Sequence, residues 1–313
     1  MDSVTSDVKV VSPPSARKII LTSFLVNLVD VLLGLIAALM TGSVTMVAQF
    51  LEGTVDLISS GLLMIGVRQS NKNPDRGHPF GHGREMFFWA MISALLMLGV
   101  TASLSIYFGL QRFLHPEPLE NLFFAYLVLT ISVISNGYSL SLSFKRLLGK
   151  NNNKKFLYSF FYSPLIETKT TFVLDLMGTA AAGLGLISLV SFGITGDRRL
   201  DGVGAVLIGV TLAILALLLI KSVKDLLVGR SAAPEVEENI RKSALTIPEV
   251  KNILDLRTMY IGPERLLVNL EVHLEDNLNT DQIESLTDKI KHVVQTEEPT
   301  VHHIQVELET PES

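Results

Sequence analysis

The chain has 313 residues, 48% of them hydrophobic and only 18% charged, with a mean hydropathy of +0.41. That balance points to a membrane protein rather than a soluble enzyme. The net charge of −5 gives no sign of a nucleic-acid partner, and the absence of cysteine excludes disulfides and thiolate metal sites.

Residues 1–16 read as a disordered N-terminus. Six apolar stretches then follow, at 19–39, 44–67, 87–108, 122–144, 165–192 and 203–220. Each is long enough to cross hydrocarbon as a helix, which takes about 20 residues. Together they define a membrane domain over 17–220. The first stretch lacks the small-residue cleavage site of a signal peptide, so a retained helix is expected. Lys and Arg cluster before the first span, in the second connection (Arg68, Lys72, Arg76, Arg84) and in the fourth (Lys145, Arg146, Lys150, Lys154, Lys155). Positive-inside bias then puts both termini in the cytoplasm. Short loops and no targeting segment fit a prokaryotic inner membrane.

The second span carries Glu52 and Asp56, four residues apart, and the fifth carries Asp175. Ionisable groups at bilayer depth cost several kcal/mol or more, so they mark a cation or proton path. The four-residue spacing places Glu52 and Asp56 on one helix face. Three crowded acids cannot all stay ionised, and a cation arriving among them displaces protons. Lys169, near the cytoplasmic end of the fifth span, is the basic residue available for a purely structural pairing. Glu167 lies too far along that helix to share one ion with Asp175, about 12 Å by helical rise. Asp30 reads as lining a cavity or supplying supporting hydrogen bonds. Asn27 and Asn136 read as helix–helix hydrogen-bonding residues.

The connection after the second span contains Asp75, His78 and His82, a donor set suited to a transition metal. Glycines at 77, 81 and 83 allow a turn tight enough to gather the histidines.

From 221 to 313 the sequence is that of a soluble α+β domain. A helix is expected over 236–245, strands over 252–260 and 265–274 with Gly262 and Pro263 between them, a helix over 281–294 capped by Thr280, and a strand over 301–308. His273, His292, His302 and His303 lie in this tail.

These motifs resemble one family, the cation diffusion facilitators. The resemblance is carried by Thr41-Gly42-Ser43 with Glu52-Gly53-Thr54-Val55-Asp56, and by His78-Pro79-Phe80-Gly81-His82-Gly83-Arg84. Asp201-Gly202, Asp255-Leu256-Arg257-Thr258 and His273-Leu274-Glu275 complete the series in order, so it covers the chain from about Arg17. It implies an α-helical membrane protein with six transmembrane helices and a cytoplasmic ferredoxin-like, metallochaperone-like tail for dimerisation or regulation. It also implies a homodimer in a lipid bilayer that exports a divalent metal against inward protons. The central metal site falls on Glu52, Asp56, Thr171 and Asp175, with a cytoplasmic loop site at Asp75, His78 and His82 and a tail site at His273. Zinc transporters of the family usually have His where this chain has Thr171. An oxygen-only set leans toward Mn²⁺ or Fe²⁺, with Zn²⁺ still accessible.

Three other readings compete. An intramembrane aspartyl protease needs an acid dyad, but the Gly-x-Gly-Asp signature is missing at Asp56 and Asp175 and Glu52 would have no role. A metal sensor or scaffold without flux keeps the same ligands. The same fold carrying another cation is the third.

Overall fold

A computed structural model describes residues 16–148 and 166–310, without the side chains of 16–24, 26, 148 and 167. The N-terminal segment, the loop tip at 151–155, the first residue of the fifth span and the Glu167 side chain therefore fall outside the described residues.

The membrane part consists of α1 (Ala16–Thr41), α2 (Val44–Ser70), α3 (Glu85–Leu114), α4 (Leu122–Leu148), α5 (Ile166–Thr195) and α6 (Arg199–Val228). By length and composition, α2 to α6 are apolar enough to cross a membrane; the described apolar part of α1 is the shorter Asn27–Thr41. Leu32, Leu39, Ile134, Ile187, Ile194 and Leu217 point outward from the helices, as lipid-facing residues should. The core between helices mixes small residues such as Ala90, Ala94, Ala181 and Ala205 with large ones such as Leu63, Phe87, Met97 and Ile208.

Helix α4 packs along α5, α1 along α2, and α3 along α6, while α2 touches both α5 and α6. Gly42 (φ +64°) turns the chain between α1 and α2, and Ser43 caps α2 by accepting from the Met46 N–H at 3.2 Å. Helix α3 is not uniform: Met97–Ala102 is π-helical, and Ser103 Oγ donates to the Leu98 carbonyl five residues back at 3.1 Å. No pattern in the sequence announces this. Helix α6 exceeds the expected 203–220 at both ends. Its 30 residues make it about 45 Å long, longer than the hydrocarbon is thick, and it ends at Gly229 (φ +118°).

The tail has the expected order: α7 (Pro234–Leu245), β1 (Val250–Gly262), β2 (Arg265–Leu274), α8 (Thr280–Glu297) and β3 (Val301–Leu308). The sheet order is β1-β2-β3, with β1 antiparallel and β3 parallel to β2. Helices α7 and α8 pack on each other, α7 also meeting β1 and α8 meeting β3, and Ile240, Leu266, Val268, Leu270, Ile290 and Val294 form the core. The α8 cap is Asn279 rather than Thr280: Asn279 and Gln282 exchange side-chain and backbone bonds, both at 2.9 Å, in a capping box. The β2–β3 register slips at His302, which leaves His302 and His303 both exposed instead of on alternating faces.

Candidate transport site

The middle of α2 buries its two acids almost completely, with Glu52 1% and Asp56 2% exposed. Their carboxyls lie within hydrogen-bonding reach of each other, and every charge acting on them, from Asp30 and Asp175, is negative. Gln49 Nε2 donates to Glu52 Oε2 at 3.1 Å. The remaining oxygens, Glu52 Oε1 and Asp56 Oδ1, are buried with no hydrogen-bond partner among the described residues. Thr171 and Asp175 are buried on α5, one turn apart on one face.

The residues that hold this cluster come from α4. Ser132, Asn136, Ser139 and Ser143 recur at helical spacing along one stripe. Ser143 Oγ donates to Asp175 Oδ2 at 2.8 Å, while Ser132 Oγ and Asn136 Nδ2 donate to the two oxygens of Asp30 at 3.0 and 2.7 Å. Asn27 reaches Ser60 on α2 at 3.4 Å. The asparagines do form helix–helix hydrogen bonds, and the serine stripe had no reading in the sequence. Four small polar residues on one face of an apolar helix were the available signal.

Another buried acid, Asp201, lies in the first turn of α6. Its Oδ1 accepts from Ser43 Oγ at 2.6 Å and the Thr45 N–H at 3.0 Å, and its Oδ2 from the Val44 N–H at 2.9 Å. Arg112 of α3 stands 3.6 Å from the same carboxylate and donates to the Gly42 carbonyl. The N-terminus of α2 is thus capped by an acid from another helix, where the helix dipole favours negative charge. Arg112, near the end of α3, is buried.

At the other end of α2, the loop gathers Asp75, His78 and His82, with ligand atoms within 4.8 Å of one another. Asp75 Oδ1 accepts from the N–H groups of Gly77 and His78 at 2.8 and 2.7 Å, an Asx turn that sets the loop. The His78 N–H holds the Asp75 carboxyl below the usual carboxylate range. His78 Nδ1 and His82 Nε2 each lie 3.4 Å from an Asp75 oxygen. Gly81 (φ +83°) brings the chain back, and at Gly83 a Cβ would stand 2.5 Å from the Ile261 carbonyl of β1. Only glycine allows that approach. Phe80 meets the His303 ring edge-on at 5.4 Å, so the loop rests on the tail. This donor set fits a transition metal.

His273 is not part of such a cluster among the described residues. It sits by Glu275 and Asp276 in an open cavity of about 420 Å³ and faces the Glu309 carbonyl at 3.3 Å. Asp276 is engaged by Lys251 at 3.1 Å, which holds its carboxyl below the usual range.

Residues 20–228 match the family model for the cation efflux transmembrane domain, and residues 232–311 match the model for the cation efflux protein cytoplasmic domain. The chain is 29% identical over 267 residues to the mitochondrial proton-coupled zinc antiporter SLC30A9 of Xenopus laevis, covering 84% of this chain and 47% of that protein. It is 25% identical over 235 residues to metal tolerance protein C4 of Arabidopsis thaliana, covering 74% and 51%. It is 28% identical over 283 residues to the cation-efflux pump FieF of Shewanella oneidensis, covering 88% and 89%. The chain thus spans about half the length of the mitochondrial and plant relatives and most of the bacterial one. With apolar helices long enough to cross a bilayer several times and both family models matched in order, the chain is an integral, multi-pass membrane protein that belongs to the cation efflux, or cation diffusion facilitator, family of transporters.

Proposed function

We propose that this protein exports a divalent metal cation from the cytoplasm in exchange for protons, with Glu52, Asp56, Thr171 and Asp175 as the transport site. One observation carries the reading. Two acids are buried at mid-helix with unpartnered oxygens and only negative charges around them, an arrangement that a cation or protons must balance. When metal leaves, protons take its place, and that competition couples the two fluxes.

The finer assignments extend this proposal. Domain limits fall at 17–220 and 221–313, with α1 as the sixth span. The protein works as a homodimer through its tail, in a prokaryotic inner membrane, with both termini cytoplasmic. Asp75, His78 and His82 form a second metal site on the cytoplasmic loop, and His273 belongs to the tail surface. The cargo is Mn²⁺, Fe²⁺ or Zn²⁺. The oxygen donors favour the first two, whereas the SLC30A9 relatives are named for zinc.

The test is uptake of Mn²⁺, Fe²⁺, Zn²⁺ and Co²⁺ into inside-out proteoliposomes under a pH gradient, for wild type, Asp56→Ala and Asp175→Ala. Flux of one metal, lost in both variants, supports the proposal and names the cargo. Metal binding without flux of any metal supports the sensor reading instead.

A further inference from the structure

Thr171 leaves the proposed site with a neutral hydroxyl where a stronger ligand would serve, and a carbonyl oxygen comes close one turn beyond Asp175. Asn136 lies on α4 between Asp30 and Glu52. Its Nδ2 donates to Asp30 Oδ2 at 2.7 Å and to the Ser132 carbonyl at 3.1 Å. Flipping the amide would press its oxygen against two acceptors, so the orientation is determined by the network. Asp30, itself 5% exposed and held by Ser132, is what imposes it.

The Asn136 Oδ1 consequently faces α5 at Gly178. A Cβ there would stand 2.8 Å from Asn136 Oδ1 and 3.1 Å from Glu52 Oε1. The two oxygens converge on one patch of helix backbone; Glu52 Oε1 is buried without a hydrogen-bond partner among the described residues, and the bonds of the Asn136 amide run through its nitrogen. Two buried acceptors side by side repel each other; a cation between them reverses the sign. A helix–helix cross-link explains the nitrogen end of Asn136 but leaves its oxygen end without a purpose. Glycine at 178 is what lets both oxygens come this close.

We propose that Asn136 Oδ1 is a ligand of the transported cation, shared with Glu52, and that Asp30 is the residue that positions it. The inference rests on the transport reading above and extends the site from α2 and α5 to α1 and α4. A neutral carbonyl among carboxylates suits Mn²⁺ better than Zn²⁺.

The experiment measures uptake of Mn²⁺ and of Zn²⁺ over a concentration series by the full chain in proteoliposomes, for wild type, Asn136→Ala, Asn136→Asp and Asp30→Asn. Asn136→Ala is expected to raise the half-saturating Mn²⁺ concentration about tenfold, more than it raises that for Zn²⁺, and Asp30→Asn to move it the same way by less. Asn136→Asp, unchanged in size, keeps an oxygen at the ligand position but sets its second oxygen against Asp30 Oδ2 and the Ser132 carbonyl, and is expected to raise it by less than Asn136→Ala does. Unchanged half-saturation and an unchanged Mn²⁺/Zn²⁺ ratio in both Asn136 variants overturn the inference. A wild type that moves no metal overturns the transport reading instead. Equilibrium Mn²⁺ titration of wild type and Asn136→Ala then decides the ligand claim alone, equal affinities sinking it and weaker binding by Asn136→Ala supporting it.

Discussion

The N-terminal end of α2 and its middle both bury carboxylates, Asp201 at 0% exposure and Glu52 and Asp56 at 1% and 2%. Their surroundings are opposite. Asp201 accepts three hydrogen bonds from the start of α2 and faces Arg112, so its charge is spent on holding α2, α3 and α6 together. Glu52 and Asp56 each keep an unpartnered oxygen and sit among other acids. Burial therefore does not distinguish a structural acid from one that meets a cargo; the state of its oxygens does.

Exchanging the roles of these acids gives the sharpest tests. Asp56→Asn should reduce metal flux by at least about a hundredfold, beyond the loss typical of supporting residues. It should leave the unfolding temperature unchanged or raised, because a buried like-charge repulsion disappears. A clear drop in thermal stability would place Asp56 with Asp201 instead. Asp201→Ala should do the reverse. It leaves three donors at the start of α2 without their acceptor, while Arg112 keeps Glu117 and the Gly42 carbonyl, and each stranded buried donor costs about 1–3 kcal/mol. Denaturation in detergent would read this as a large fall in stability, and a variant as stable as wild type would refute the capping role.

Thr171→His tests the composition of the middle site rather than its charge. Adding an imidazole should move preference toward Zn²⁺ by about tenfold, or about 1.4 kcal/mol. Competition of Zn²⁺ against Mn²⁺ uptake measures it, and an unaltered ratio means that Thr171 does not face the ion. The smallest effect on flux is expected at the loop. Asp75 is exposed, so Asp75→Ala should weaken metal binding at His78 and His82 while changing saturated flux by less than about threefold. Calorimetric metal titration of the full chain beside flux assays separates the two. A collapse of flux would put the loop on the transport path.

Much of the architecture was legible because membrane helices and amphipathic strands obey short-range patterns. The long apolar runs, the four-residue spacing of Glu52 and Asp56, and the helix-strand-strand-helix-strand order of the tail are all periodicities of neighbouring residues. The Asp75–His82 cluster was legible for the same reason, since its three donors lie within eight residues and the glycines at 77 and 81 let the chain turn back on itself. Where a neighbour competed, the reading slipped by one. Thr280 and Asn279 are both acceptable caps, and Asn279 wins because Gln282, three residues on, closes the box with it.

What the sequence by itself determined is the inventory: the long apolar runs, the acids that lie within them, and Thr171 one turn before Asp175. What only the tertiary structure decided is how each acid is balanced. Asn136 meets Asp30 across 106 positions of chain, and Asp201 meets Ser43 across 158. No local period encodes such partners. The side-chain hydrogen bonds and charges that separate a capping aspartate from one left with an unpartnered oxygen form only when distant helices pack, so they are properties of the packed bundle rather than of any one segment.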